Sequence, residues 1–399
     1  MILYDPALEM NFQEYGIMLP IVPDRGKQVL DFLGKNYHPL ARGATMPYPG
    51  PVFSVDDALA FLNSGTSALI TREDVERVHS GEFIASLYGD GENRLEAALL
   101  ATYELLDARG RPHRYEPERA VRPLAGLFRV ILAQVGGTYL ACRLALSKGP
   151  GFCYFMGGGM HHARYDAGSG FCLINDAAVA VTKILSENAT ANAGNGSAEQ
   201  SVRLIWIIDM DVHKGDGTAE LVHFARQRGE LLNPSGLREP QTPARDKPGE
   251  KAGEKPCVLT LSIHMAKGWP LDEESLAAAK EGRAPLIPSD IDIGIDAGEE
   301  KTYTPRLAEG IKELERFSAA LFGNEKPNLV LVVDGADPYE HDGLPSSSLL
   351  KLTLEQCVER DIYVYRYVMD RGIPSAWIQA GGYGGRAWEP PAYFLQEIR

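Results

Sequence analysis

The stretch Arg203-Leu-Ile-Trp-Ile-Ile-Asp209-Met-Asp211-Val-His213-Lys-Gly-Asp216-Gly217 decides how this chain is read. From Leu204 to Ile208 every residue is apolar, the pattern of a strand buried on both faces of a parallel sheet. Asp209, Asp211 and His213 then follow two apart. On an extended chain their side chains point the same way, and Met210 and Val212 fill the opposite face. Two carboxylates and an imidazole at the end of a buried strand are costly unless compensated, so they call for a cation or strong hydrogen bonds. Carboxylate oxygens with an imidazole nitrogen suit a divalent metal, zinc first. A solvated loop of charged residues is the bland alternative to the metal reading of this segment.

The same pattern recurs along the chain. Gly151-Phe-Cys-Tyr-Phe-Met reads as a strand that runs into Gly157-Gly-Gly-Met-His161-His162. Cys257-Val-Leu-Thr-Leu-Ser-Ile ends at His264, Leu329-Val-Leu-Val-Val at Asp334-Gly-Ala-Asp337, and Ser375-Ala-Trp-Ile-Gln-Ala at Gly381-Gly382-Tyr383. Between them lie helical patterns near Leu127–Ser147, Asp176–Leu185, Pro305–Phe322 and Thr353–Met369, with an earlier one at Arg94–Arg109. Strands alternating with helices imply βαβ units and right-handed crossovers. The expectation is an α/β fold in a single domain, with a mostly parallel central sheet and helices on both faces. Ligands of such sheets bind at the carboxyl ends of the strands, where these polar clusters fall.

Composition narrows the classes. Of 399 residues, 44% are hydrophobic, ample for one sizeable core, and the formal net charge of −14 argues against a broad basic surface for nucleic acid. The five cysteines are scattered through apolar patterns and read as buried small side chains in a reducing compartment. The first residues show no signal-peptide pattern. No apolar run is expected to reach the ~20 residues of a membrane span. A cytoplasmic enzyme without membrane or nucleic-acid partners is the expectation. Residues 1–60 read as a short strand at Ile2 followed by Pro- and Tyr-rich loop. The polar segments 188–201 and 229–255 are expected to be surface insertions.

Taken with Gly136-Gly137-Thr138 and Ser169-Gly170-Phe171-Cys-Leu-Ile-Asn175-Asp176, these motifs make the chain resemble the histone deacetylase superfamily. That superfamily includes acetylpolyamine amidohydrolases and acetoin-utilisation deacetylase-like proteins, and shares the arginase/deacetylase-like α/β architecture. The resemblance runs from about Val75 to the end. Gln379-Ala-Gly-Gly-Tyr383 and Ile291-Asp-Ile-Gly-Ile-Asp296 look like the class IV branch. It implies a catalytic zinc, with iron(II) open, on Asp211, His213 and Asp337, leaving a position free for water and substrate. It further implies tandem catalytic histidines: His161 oriented by Asp209, and His162 oriented by Asp216 and serving as general base and then acid. Tyr383 would be the donor to the oxyanion. A structural potassium ion is implied at Asp209, Asp211, His213, Ser262 and Ile263. A narrow acyl-lysine channel is implied at Gly170 and Phe171, with Trp269 on its other wall.

The activity so implied is deacylation of an acyl-lysine peptide or protein, or of an acylated small amine such as an acetylpolyamine. A two-manganese ureohydrolase needs more Asp and His ligands than the sequence clearly offers. A silent acyl-lysine binding module would be expected to lack some of the chemical positions. Elsewhere, His264 is expected to sit just behind the site. Lys214 is expected to be solvent-facing or salt-bridged. His38, His79, His113, His223 and His341 read as surface or satisfied structural residues. Oligomeric state is not legible.

Overall fold

Among the described residues eight strands form one sheet in which every pairing is parallel: β1 (Ile2–Leu3), β2 (Val52–Phe53), β3 (Phe152–Phe155), β4 (Leu204–Asp209), β5 (Cys257–Met265), β6 (Ile291–Ile295), β7 (Leu329–Asp334) and β8 (Ser375–Gln379), in the order β2-β1-β3-β8-β7-β4-β5-β6. The computed structural model describes residues 1–35, 51–63, 69–89, 92–147, 151–193, 202–234, 255–282 and 286–398. The expected mostly parallel α/β sheet is thus wholly parallel among the described residues. Segments 194–201 and 235–254, which hold most of the two expected insertions, and His38 lie outside them.

Alternation along the strands feeds two separate cores. Phe152, Tyr154, Leu204, Trp206, Ile208, Val330, Val332 and Trp377 pack with the helices Tyr303–Phe322, Leu354–Asp370 and Glu389–Glu397. Their neighbours Cys153, Phe155, Ile205, Ile207, Leu329, Leu331, Val333 and Ile378 pack with the helices Leu127–Leu146 and Asp176–Ala193. This explains the unbroken apolar runs, since a strand covered by helices on both faces has no polar side. All five cysteines are buried and free, as read from their apolar contexts.

Several boundaries depart from the sequence reading. The helix expected at Arg94–Arg109 spans Glu92–Thr102 and stops because Glu104 turns left-handed (φ 53°) and Leu105 N–H closes back on the Leu100 carbonyl. The helix from Asp176 continues to Ala193, past its expected end at Leu185 and into the expected insertion. Within the supposed N-terminal loop lies the helix Arg25–Lys35, anchored by buried Val29 and Leu33. The expectation that no apolar run could span a membrane also needs correcting. Leu124–Leu146 has 23 residues and mean hydropathy 1.4, yet 67% of its most apolar window is buried, against the sheet and its partner helix. It is the central core helix on that face.

Candidate active site

Four adjacent strands, β3, β8, β7 and β4, end on the same edge of the sheet, and their loops converge. The β4 loop does not continue extended. Asp209 Oδ1 accepts from the Asp211 N–H at 3.1 Å, and Asp211 Oδ1 accepts from the His213 N–H at 3.0 Å. These successive side-chain turns are what Asp favours in place of a ladder. They overturn the expectation that Asp209, Asp211 and His213 point alike as one set. Asp209 instead turns to His161, while Asp211 and His213 turn to the β7 loop.

There, Asp211, His213 and Asp337 bring potential ligand atoms within 4.8 Å of one another, all buried. His213 Nδ1 is 3.3 Å from Asp211 Oδ1 and 3.2 Å from Asp337 Oδ2. The remaining oxygens are held in place: Asp211 Oδ2 accepts from the Gly381 N–H at 2.9 Å, and Asp337 Oδ1 from the Val212 N–H at 3.0 Å. Two buried carboxylates around one imidazole fit a divalent cation in donor type and number. Without one the site retains protons. Burial and then Asp211 push Asp337 up to about 7. His213 rises to about 9, because its bonds to Asp211 and Asp337 outweigh the opposing effect of burial.

The tandem histidines come from the β3 loop. His161 Nδ1 lies 2.7 Å from Asp209 Oδ2, and His162 Nδ1 lies 2.8 Å from Asp216 Oδ1. Their rings are 3.9 Å apart, and His161 Nε2 is 3.7 Å from Asp211 Oδ1. The two differ electrostatically. Burial disfavours charge on both, but Asp209 and Asp211 override it at His161 and raise it to about 10. At His162 burial is reinforced by the neighbouring His161 charge, lowering it to about 4. Without an ion in the site, one ring thus favours the cation and the other the neutral base.

Tyr383 follows β8 and is buried; its N–H donates to Asp342 Oδ2 at 2.7 Å. Burial, then Asp337 and Asp211, push its phenol well above the ordinary value, so it stays a donor. Gly170 sits at φ 53° where an added Cβ would come within 2.4 Å of the Trp269 ring and 2.8 Å of the His162 ring. Only a glycine fits between them. The Trp269 ring is 4.5 Å from His162 and 5.8 Å from His213, so this wall stands against the site, and Arg114 caps the Phe171 ring at 5.4 Å. A cavity of about 120 Å³ is lined by Gly157–Met160, Gly170–Cys172, Arg25 and Gln379–Tyr383.

This chain belongs to the histone deacetylase family. The family's domain, described as a histone deacetylase domain, matches residues 41–390. The chain is 28% identical over 260 residues to an uncharacterized protein of Picosynechococcus sp., covering 65% of this chain and 64% of that one. It is 23% identical over 250 residues to histone deacetylase 2 of Arabidopsis thaliana (63% and 48%). With the acetoin utilization protein AcuC of Bacillus subtilis it shares 24% over 323 residues (81% and 67%). The chain thus spans about half to two-thirds of the length of these relatives.

Family membership puts the remaining residues in context. Ser262 pairs in register with Asp209; its hydroxyl contacts His264 Nδ1 at 3.0 Å and lies 3.4 Å from the Gly215 N–H. His264, lowered to about 4 by burial and then Lys214, does stand behind the site. Lys214 is not solvent-facing: its side chain is 4% exposed and ion-paired with Asp292 at 2.5 Å. His79 is buried and bonded, a structural residue as expected. Sequence reasoning missed Arg25, whose guanidinium donates to the carbonyls of Gln379, Ala380, Gly381 and Gly382 and so shapes the Tyr383 loop. It also missed Asp342, which holds Tyr383, and Ser346, whose hydroxyl is 3.3 Å from His213 Nε2. Nothing local marks these three. A charge on a helical apolar stripe does mark Arg360, between Cys357 and Val364.

Proposed function

We propose that this protein is a metal-dependent amidohydrolase that removes an acyl group from acyl-lysine, with zinc as the first choice of ion and iron(II) the alternative. The observation that carries this reading is the juxtaposition of a three-donor buried set, Asp211, His213 and Asp337, with two carboxylate-backed histidines of opposite charge preference. Those three residues would hold the ion, which supplies Lewis acidity toward a carbonyl and a water.

The protein's own groups account for the rest. His162, neutral at pH 7, can take a proton at Nε2 while Asp216 holds its Nδ1–H and so fixes the tautomer. The same nitrogen can return that proton to the departing amine. His161, biased toward its charged form by the Asp209 carboxylate on its Nδ1, can stabilise negative charge that develops beside it. Tyr383 presents a phenol that does not ionise and can donate to an oxygen that gains charge. Gly170, Phe171 and Trp269 confine the approach, which suits a slender alkyl amine.

Ser262 and Ile263, beside Asp209 in the sheet, are the further oxygen donors this reading assigns to potassium. A two-metal ureohydrolase would have to divide Asp211 between both ligand groups, since the second group among the described residues is His161, His162 and Asp211. Acyl-lysine in peptides or proteins is the proposed substrate in preference to acetylated polyamines. The test is hydrolysis of acyl-lysine peptides and acetylated polyamines by zinc- and iron(II)-loaded protein, with metal content measured. One ion per chain and peptide turnover support the proposal; turnover of polyamines alone overturns the substrate, and activity without any bound metal overturns the chemistry.

A further inference from the structure

Beneath the candidate metal ligands lies a buried cation that the chemistry above does not use. The Arg360 side chain is 0% exposed, on a helix whose flanking positions Cys357 and Val364 are core. Its Nε donates to Asp361 Oδ1 at 2.9 Å and its Nη1 to the Met210 carbonyl at 2.8 Å. Its Nη2 donates to Asp334 Oδ1 at 3.0 Å and to the Gly335 carbonyl at 2.5 Å. Met210 lies between Asp209 and Asp211, and Gly335 lies two residues before Asp337. One guanidinium therefore grips both loops that carry the ligand set.

The surroundings reinforce that grip. The Tyr303 hydroxyl also donates to the Met210 carbonyl, at 3.4 Å, and its ring centre lies 6.0 Å from the guanidinium carbon. Asp334 Oδ2 accepts from the Tyr154 hydroxyl at 2.8 Å, so the network reaches β3, whose loop bears His161 and His162. A buried ion pair contributes little net stability relative to apolar packing of the same volume. What a guanidinium supplies, and an aliphatic side chain or an ammonium does not, is a rigid planar fork with donors in fixed directions.

We infer that Arg360 is a positioning residue that sets the separation of the Asp209–His213 and Asp334–Asp337 loops, and hence the metal affinity of the site. The inference rests on the reading of Asp211, His213 and Asp337 as metal ligands. Groups that orient metal ligands from behind change metal affinity or activity by about 10–100-fold when altered.

The test compares wild type, Arg360→Lys, the triple variant Arg360→Met/Asp334→Asn/Asp361→Asn, which leaves neither carboxylate partner charged, and Leu314→Ala, a core substitution on the helix Tyr303–Phe322. Zinc affinity is read by competition with a chromophoric chelator, alongside thermal midpoint and turnover of an acetyl-lysine peptide. Arg360→Lys keeps the charge but cannot span both carbonyls; it is expected to bind zinc about 10–100-fold more weakly and to lose kcat more than KM. The triple variant, which removes the guanidinium and both carboxylates paired with it and is read whether or not the lysine variant folds, is expected to lose affinity similarly. Leu314→Ala is expected to lower the thermal midpoint and leave zinc affinity unchanged. Wild-type affinity in either Arg360 variant, or a loss no greater than that of a control matched in stability, overturns the inference. Wild-type protein that binds no zinc or other divalent ion would instead sink the metal reading on which it rests.

Discussion

His79 makes acid sensitivity a direct test of how the His161–His162 loop is held. It is buried, its Nδ1 lies 2.7 Å from the Arg164 carbonyl, and its Nε2 accepts the Asn175 N–H at 3.2 Å. Asn175 in turn donates to the carbonyls of His161 and Ala163. The ring is therefore locked as the neutral Nδ1–H tautomer, and a second proton at Nε2 would face the Asn175 N–H. Burial lowers His79 from 6.5 to about 4. A depressed folded-state value means the stabilisation is complete above pH 6.5 and is lost as pH falls toward 4. At pH 5 the loss is about 2 kcal/mol, with the maximum near 3 kcal/mol below pH 4. Urea unfolding of wild type and His79→Gln at pH 8 and pH 5 isolates this residue, because the other titrating groups are common to both. Wild type should lose about 2 kcal/mol more than the variant over that interval. A difference under about 0.5 kcal/mol would refute the argument, and with it the claim that a neutral imidazole pins this loop.

Three further outcomes follow from the geometry. Tyr383→Phe should keep bound metal and thermal stability but lower kcat by about 10²–10³, with KM little changed; stopped-flow or steady-state assays with an acetyl-lysine peptide that show unaltered kcat would remove the phenol from the chemistry. Gly381→Ala should abolish metal binding, measured by elemental analysis after dialysis, because its Cβ would fall 2.3 Å from Asp337 Oδ2 and 2.5 Å from Asp211 Oδ2. Metal uptake at pH 7 should release protons, since His213 is raised to about 9 and Asp337 to about 7 without the ion. Apparent affinity should therefore climb roughly tenfold per pH unit between pH 7 and 9, and calorimetry in buffers of different ionisation enthalpy should show the release; a flat profile would contradict these protonation states.

The strand-and-helix alternation was legible because burial on both faces leaves a local trace: five runs of largely apolar residues, each followed by His, Asp or Tyr and all but the Cys257 run by adjacent glycines. The pairs of residues that came together were legible only through family resemblance. Neither the contact between His161 and Asp209 nor that between His213 and Asp337 is implied by residues 48 and 124 positions apart. Where local reasoning was pushed further it misdirected, as at Asp209. Period two holds only while the ladder lasts, and here the strand ends at Asp209 itself.

Amino-acid order alone thus determined that this chain builds a buried parallel sheet with chemistry at its strand ends, since hydrophobic period and turn residues act over a few positions. Tertiary structure decided which carboxylate serves metal and which serves histidine, because that depends on where strands from distant parts of the chain stop beside one another. It also decided that Arg25 shapes the Tyr383 loop from 356 residues away and that Arg360 grips two loops at once. A backbone carbonyl looks the same at every position in a sequence; only the fold reveals which ones face a buried guanidinium.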